Sequence, residues 1–184
     1  MSMKSTIAAV AIAATLALSG TAFAAVMVGG QEMFPSKNIV ENAVNSAEHT
    51  TLVAAVKAAG LVETLQGAGP FTVFAPVNAA FSALPAGTVD TLLKPEMKSE
   101  LTKVLTYHVV SGKITYKGLQ KRIQAGKGMA KLATVAGGTL IAKMNGPMNI
   151  VIEDEKGGVA NINVYDVIQS NGVIHSIDKV LLPN

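Results

Sequence analysis

The chain has 184 residues, no Cys, no Trp and a formal net charge of +3. A chain of this length buries enough apolar surface for one domain, and the lack of Cys excludes disulfides. The modest charge and scarce aromatic residues argue against nucleic-acid binding, which needs a dense basic surface with stacking side chains.

The N-terminus has the pattern of an export signal. Lys4 is the only charged residue before Glu32, and residues 7–18 form a run of small and apolar side chains interrupted once. Residues 22–24, Ala-Phe-Ala, supply the small-x-small pattern of a cleavage site. The apolar run is too short to span a bilayer. We therefore predict a signal peptide over residues 1–24, no transmembrane anchor, and a periplasmic or secreted protein.

Helical patterns dominate the first half of the chain that follows. Residues 25–37 have no clear period and are interpreted as a loose lead-in to a single domain over residues 38–184. Apolar residues at helical spacing then predict a series of helices. They lie near residues 39–44, 50–60, 61–66, 78–84, 88–93 and 95–106. A short buried strand is predicted at residues 71–75, and Asn78 is placed to cap the helix after it.

The second half is mostly β. Short apolar runs are separated by turn sequences such as Gly137-Gly138 and Gly157-Gly158. A further apolar run follows the turn-forming pair Asn171-Gly172 and ends at Pro183. The predicted strands lie near residues 107–110, 132–135, 139–144, 149–153, 159–164 and 173–182. Helices followed by strands predict an α+β fold rather than an alternating α/β fold.

Residue patterns that carry catalysis or metal binding are missing from the sequence. It has no G-x-S-x-G elbow, no Cys nucleophile and no glycine-rich phosphate loop. The three histidines, His49, His108 and His175, lack metal-ligand spacing. We predict no catalytic residue, no metal and no cofactor. His175 shares a strand face with Val173 and Ile177, which predicts a buried, hydrogen-bonded histidine.

The densest charged runs are interpreted as solvated surface. Residues 153–158, Glu-Asp-Glu-Lys-Gly-Gly, lie between two apolar runs and predict an exposed hairpin turn. A basic cluster is spread out and holds a single aromatic residue, which favours a solvent-facing segment. The cluster comprises Lys113, Tyr116, Lys117, Lys121, Arg122, Lys127 and Lys131.

Three segments, in their order and spacing, resemble the signature boxes of the fasciclin domain family. They are residues 72–81, Tyr107-His108 and residues 171–183. The resemblance covers roughly residues 40–182 and implies a fasciclin-type β-sandwich or wedge with the helices gathered in the N-terminal half. Val77 stands where many members have Thr, so Asn78 must carry any capping there alone.

The resemblance implies an extracellular adhesion and protein-interaction module without a shared catalytic site. In animal members, integrin interaction is associated with the Tyr-His segment and with an Asp-Ile pair before the second box. The corresponding protein-binding residues here are Tyr107, His108, Asp166 and Val167. We expect a protein-binding edge at these residues, but we do not assume that the ligand is an integrin. Asp166 and one residue of the Tyr-His pair are expected to reach solvent.

The predicted protein is an exported, non-catalytic, bacterial binding protein with one domain. It acts in cell-surface or periplasmic adhesion, matrix association or host interaction. Its partner is an unidentified protein or a matrix or envelope component, and not a nucleic acid. Two alternatives stay open: a periplasmic small-molecule or polysaccharide-binding protein with an enclosed apolar pocket, and a hydrolase whose site assembles only in three dimensions.

Overall fold

The computed structural model describes residues 26–184, and the predicted signal peptide lies outside these residues. The helices are α1 (Ile39–Ala43), α2 (Thr50–Ala59), α3 (Val62–Gln66), α4 (Asn78–Ser82), α5 (Thr88–Leu92), α6 (Lys98–Tyr107) and α7 (Tyr116–Ala125), with a 3-10 turn over Pro95–Met97. The strands are β1 (Val26–Val28), β2 (Gln31–Met33), β3 (Phe71–Pro76), β4 (Val109–Ser111), β5 (Met129–Ala133), β6 (Thr139–Met144), β7 (Ile150–Glu153), β8 (Val159–Gln169) and β9 (Gly172–Ile177). None of the helices in residues 26–184 combines the length and the apolar character needed to cross a membrane.

The predicted elements are confirmed, with β8 ending later, at Gln169, and β9 earlier, at Ile177, than predicted, and with three exceptions. Helix α7 was not predicted, Tyr107 ends a helix instead of starting a strand, and the lead-in forms the hairpin β1–β2. The hairpin turns at Gly29-Gly30, where both φ values are positive, a conformation that Gly adopts without strain. Val28 and Met33 of the hairpin are buried in the core, so the lead-in is an ordered part of the fold.

Seven strands form one curled sheet in the order β4-β3-β9-β8-β7-β6-β5. Strands β3 and β9 are parallel, with six residues in register from Phe71 opposite Gly172 onward, and all other neighbours are antiparallel. A bridge between Val110 and Thr134 brings the two ends of the sheet together. The predicted α+β architecture is therefore confirmed, and the two apolar boxes lie side by side as adjacent strands.

Strands β3 and β9 separate two hydrophobic cores. Val73 and Ile174 belong to a core shared with helices α1, α2, α3 and α6. Phe74 and Ile177 belong to a second core inside the curled sheet, which α7 covers with Leu119 and with Ile123 of its next turn. Burial on both faces explains the near-continuous apolar sequence of these strands. Each large side chain so buried stabilises the fold by about 1.5–3 kcal/mol.

Asn78 joins two elements and does not cap its own helix. Its Oδ1 accepts a hydrogen bond from the Thr51 amide at 3.0 Å, and its Nδ2 donates to the Ala47 carbonyl at 2.9 Å. It therefore satisfies an open amide in the first turn of α2. Helix α4 has no side-chain cap, so the predicted role of Asn78 is wrong. A side chain that reaches another helix cannot be recognised from its local sequence.

Asn171 has a similar linking role before β9. Its Oδ1 accepts from the Ile39 amide at 3.0 Å, and its Nδ2 donates to the carbonyls of Leu65 and Gly67 at 2.8 and 2.9 Å. The start of α1 and the end of α3 are thus tied to the sheet. Gly172 is required next to it because a Cβ there would lie 2.2 Å from the Phe71 carbonyl oxygen.

Candidate binding site

Tyr107 lies buried at the end of α6, with its hydroxyl between two backbone groups. The hydroxyl donates to the Thr139 carbonyl at 3.0 Å and accepts from the Glu155 amide at 3.0 Å. Burial raises the pKa of the hydroxyl, which keeps it protonated and able to donate. Tyr107 therefore fastens the start of β6 to the turn between β7 and β8.

His108 is also buried, and both of its ring nitrogens are hydrogen-bonded. Nε2 lies 2.9 Å from the Leu181 amide, which can only donate, so Nε2 is the acceptor. Nδ1 then carries the proton and donates to the Val104 carbonyl at 2.8 Å. Burial lowers the pKa of His108 to about 4, so the ring is neutral at physiological pH.

The expectation that one of Tyr107 and His108 faces solvent is wrong. It assumed a strand, whose successive side chains point to opposite faces. Tyr107 is instead the last residue of α6 and His108 is its C-cap, and both side chains turn into the protein. The prediction that they contact a partner is not tested by these contacts.

Asp154 completes a buried group that holds the C-terminal segment. Its Oδ2 accepts from the Leu182 amide at 3.0 Å, next to the Leu181 amide that His108 binds. Its Oδ1 accepts from the Gly158 amide at 2.7 Å within its own turn. Residues 153–158 do form the predicted turn, but Asp154 is buried because its carboxylate is used there. We call Tyr107, His108 and Asp154 the C-terminal clasp.

Asp166 lies at an irregular point of β8, where the pairing with β9 shifts register between Val164 and Val167. Its φ of 54° is in the left-handed region, which Asp tolerates better than most residues. Its Oδ1 accepts from the Tyr116 amide at 2.7 Å and so supports the first turn of α7. The side chain is half-buried, and the expectation that it simply reaches solvent is wrong.

Val167 and His175 lie in the sheet beside Asp166. Val167 is buried opposite Ile174, so its expected place on an exposed edge is wrong. His175 is buried and stacks on Phe74, with 5.7 Å between ring centroids. Its Nε2 donates to the Ile114 carbonyl at 2.9 Å, and its Nδ1 accepts from the Asp166 amide at 3.3 Å. The prediction that His175 is a hydrogen-bonded core residue is confirmed, and burial lowers its pKa.

The four predicted binding residues thus form two separate pairs, of which only Asp166 is not fully buried. In the described chain, no hydrogen bond joins Tyr107 or His108 to Asp166 or Val167. In the first pair, His108 holds the segment after β9 and Tyr107 holds the turn between β7 and β8, whereas the second pair lies beside the middle of β9. What the pairs share is that each fixes the position of the closing strand.

A narrow apolar cavity lies between the helices and the sheet. Its volume is about 70 Å³, and its walls are almost wholly apolar, with Leu52, Val56 and Ile174 among them. His49 lies in the wall with Nδ1 2.8 Å from the Ser46 hydroxyl, and burial lowers its pKa. Within residues 26–184, no three His, Cys, Asp or Glu side chains are grouped to hold a metal ion.

An open groove of about 350 Å³ lies where β3 and β9 end, and sequence reasoning did not identify it. Its lining combines the Glu48 carboxylate and the Asn163 amide with apolar side chains. The full lining is Ala47, Glu48, Val77, Asn78, Ala79, Asn163, Val164 and Ser176. Residues of both apolar boxes meet here, since Val77 follows β3 and Ser176 lies near the end of β9. Only the parallel pairing of β3 and β9 brings them together.

These features define an α+β module with a curled sheet, a helical layer and an open groove at the ends of its two parallel strands. The chain belongs to the fasciclin domain family, whose sequence profile, Fasciclin domain, matches residues 47–183. Protein sll1483 of Synechocystis sp. is 52% identical over 147 residues, which cover 79% of this chain and 73% of that protein. A second Synechocystis protein, the uncharacterized protein sll1735, is 39% identical over 145 residues, covering 79% of this chain and 97% of that protein.

A solved structure shows the same fold. It is a FAS1 domain pair from the insect cell adhesion molecule Fasciclin I, which superposes with a TM-score of 0.69 at 20% sequence identity. The match covers 79% of this chain and 51% of that one.

Proposed function

We propose that this chain is an exported, non-catalytic binding protein that acts in cell-surface or periplasmic adhesion, matrix association or host interaction. The open groove at the ends of β3 and β9 is the observation that carries the proposal. It combines apolar side chains with the polar groups of Glu48 and Asn163, as the surface of a protein interface does. The fold supports the same role, since the solved Fasciclin I domain pair comes from a cell adhesion molecule.

The small volume of the apolar cavity and the open shape of the groove favour a macromolecular partner over a small enclosed ligand. Sites for small molecules typically have volumes of about 300–1,000 Å³ and enclose most of the ligand. The apolar cavity of about 70 Å³ is far below that range. The groove of about 350 Å³ is open to solvent, which suits a side chain or loop of a partner.

The lining of the groove also supports a non-catalytic role. Glu48 is its single ionisable side chain. General acid–base catalysis and hydrolysis by paired carboxylates require two groups with different pKa values in one site.

We propose that Tyr107, His108, Asp166 and Val167 serve binding by positioning the closing strand. His108 holds the segment after β9, Asp166 and Val167 lie beside β9, and Tyr107 fastens the neighbouring turn, while Ser176 of β9 lines the groove. A partner would then meet surface that these residues support.

The test blocks the groove with a bulky charged side chain. Ala79 is exposed on the short helix α4 and lines the groove, so Ala79→Arg should occlude it. Ala58→Arg is the matched control, because Ala58 is exposed near the end of α2 and does not line the groove. Crosslinked capture of envelope components by the tagged protein should fall for Ala79→Arg and remain for Ala58→Arg. Equal capture by both variants, with unchanged thermal transitions, would contradict the proposal.

A further inference from the structure

The cationic residues of this protein are distributed very unevenly. Between Glu100 and Glu153 the sequence contains no Asp or Glu, although it holds eight of the fifteen Lys and Arg residues. These eight are Lys103, Lys113, Lys117, Lys121, Arg122, Lys127, Lys131 and Lys143. Within residues 26–184, the one ion pair between a basic side chain and Asp or Glu joins Lys143 to Glu153. Lys103 donates to the Asn184 carbonyl oxygen at the C-terminus, and the remaining cations of this segment are available to an external anion.

Helix α7 presents the densest part of this segment on a fixed support. Lys117, Lys121 and Arg122 are exposed, while Leu119 and Ile123 are buried in the second core. Lys117 and Lys121 are one turn apart, so their side chains lie on the same side of the helix.

The start of α7 is held as firmly as its apolar face. Asp166 accepts from the Tyr116 amide at 2.7 Å, and the Tyr116 hydroxyl donates to the Met148 carbonyl at 2.6 Å. The Asp166 carboxylate is thus used at the first turn of the helix. The cations are held on a rigid frame before any ligand binds, which lowers the entropic cost of binding.

We propose that the exposed face of α7 binds an acidic polysaccharide of the cell envelope or matrix through its carboxylate or sulfate groups. The inference rests on the proposed role as a binding protein and names the chemistry of one partner. A flexible polyanion can place successive anionic groups against Lys117, Lys121 and Arg122 without a shaped pocket. Charge complementarity of this kind gives affinity that falls as salt increases.

Two other anionic partners fit the surface less well. Single-stranded nucleic acid needs aromatic rings that stack on bases. Tyr116 is the only aromatic residue of α7, and its ring packs edge-on against Tyr165 at 4.9 Å. A bilayer-binding helix exposes an apolar face, whereas the apolar face of α7 is buried in the core. The exposed methionines Met129 and Met148 lie outside the helix. Because exposed apolar side chains can contact a bilayer, lipid vesicles are the competing ligand in the test.

The test compares two triple variants of the exported protein with the same change in net charge. Lys117→Gln, Lys121→Gln and Arg122→Gln remove the α7 cations. Lys57→Gln, Lys94→Gln and Lys98→Gln remove three exposed cations outside the acid-free segment. Binding to immobilised polygalacturonate is measured against neutral dextran over a range of NaCl concentrations. The wild-type protein should bind polygalacturonate only, the α7 variant about tenfold more weakly, and the control variant within about twofold of wild type.

Several results would overturn the inference. They are an equal loss in both triple variants, no binding of wild type to polygalacturonate, or tighter binding to phosphatidylglycerol vesicles or to single-stranded DNA. Whether capture of envelope components depends on Ala79 tests the proposed function separately from this inference. If the groove variant loses envelope capture while polygalacturonate is not bound, the polysaccharide inference alone fails. If polygalacturonate is bound but capture does not depend on Ala79, the groove alone fails.

Discussion

The neutral, buried state of His108 predicts that acid weakens the C-terminal clasp. In the folded protein its pKa is lowered to about 4, from the usual 6.5, because burial disfavours the charged ring. Protonation would also place a proton on Nε2, the atom that accepts from the Leu181 amide at 2.9 Å. The hydrogen bond that holds the end of the chain would then be lost.

The sign and size of the effect follow from linkage between protonation and folding. Between pH 6.5 and 4, the unfolded chain binds a proton on His108 and the folded chain does not, so the free energy of unfolding decreases as the pH falls. The stabilisation is complete above pH 6.5 and is lost once the pH has fallen through 4. A lowering of the pKa by this amount corresponds to about 3 kcal/mol in the free energy of unfolding. This is a large share of the total stability of a small domain, about 5–15 kcal/mol.

The assay is urea unfolding of the wild type and of His108→Gln at several pH values from 7.5 to 4. Glutamine cannot titrate, so its free energy of unfolding should fall by about 3 kcal/mol less than that of the wild type over this range. His49 and His175 are present in both proteins and cancel in the comparison. The variant should also be less stable at pH 7.5, by about 1–3 kcal/mol, if the replacement leaves the Leu181 amide unpaired. The reasoning would be refuted if the free energies of unfolding of the two proteins changed in parallel with pH, or if NMR gave His108 a pKa near 6.5.

The remaining predictions concern single positions. His175→Ala should lower the free energy of unfolding by about 1–3 kcal/mol in urea, because it strips buried hydrogen bonds to Ile114 and Asp166; unchanged stability would contradict this. Asp166→Ala should cost about 1–2 kcal/mol and Asp166→Asn clearly less, since Asn tolerates positive φ and can still accept from Tyr116; equal losses would show that neither feature matters. Gly172→Ala should lower the thermal transition, because its Cβ would meet a carbonyl oxygen at 2.2 Å, and an unshifted transition would rule out that clash. N-terminal sequencing of the exported protein should begin at residue 25, and a retained Met1 on envelope-purified protein would disprove the signal peptide.

The strands and most helices were predictable because their signals are local. Periodicity marks a helix such as α2, and the apolar run of β3 marks a strand buried on both faces. The pair Asn171-Gly172 indicated a turn from two residues alone. The hairpin β1–β2 also had a local signal, Gly29-Gly30 between short apolar runs, which was overlooked. Helix α7 was missed because its buried face consists of little more than Leu119 and Ile123 among charged residues.

The candidate site was less predictable because it depends on contacts between distant parts of the chain. The exposure of Asp166 was inferred from its neighbours in sequence, whereas its oxygen is taken by the Tyr116 amide, 50 residues away. His108 was placed on a strand, and the atom it binds lies 73 residues further on. Asn78 was assigned to the nearest helix, and it caps α2 instead. In each case the side chain was correctly recognised as polar and its partner could not be read from local sequence.

The three segments that resemble the fasciclin signature therefore determine how the elements of the domain pack together, which we call its frame, more than which ligand it binds. Asn78, Tyr107, His108 and Asn171 all direct their polar atoms to backbone groups of other elements, so they fix how helices and strands meet. A buried side chain that is fully hydrogen-bonded has no free atom to offer a partner. Recognition then has to come from exposed side chains, such as Glu48 and Ala79 of the groove and the cations of α7. Two proteins with this frame can differ entirely in partner, because changing an exposed charge alters binding at little cost to folding.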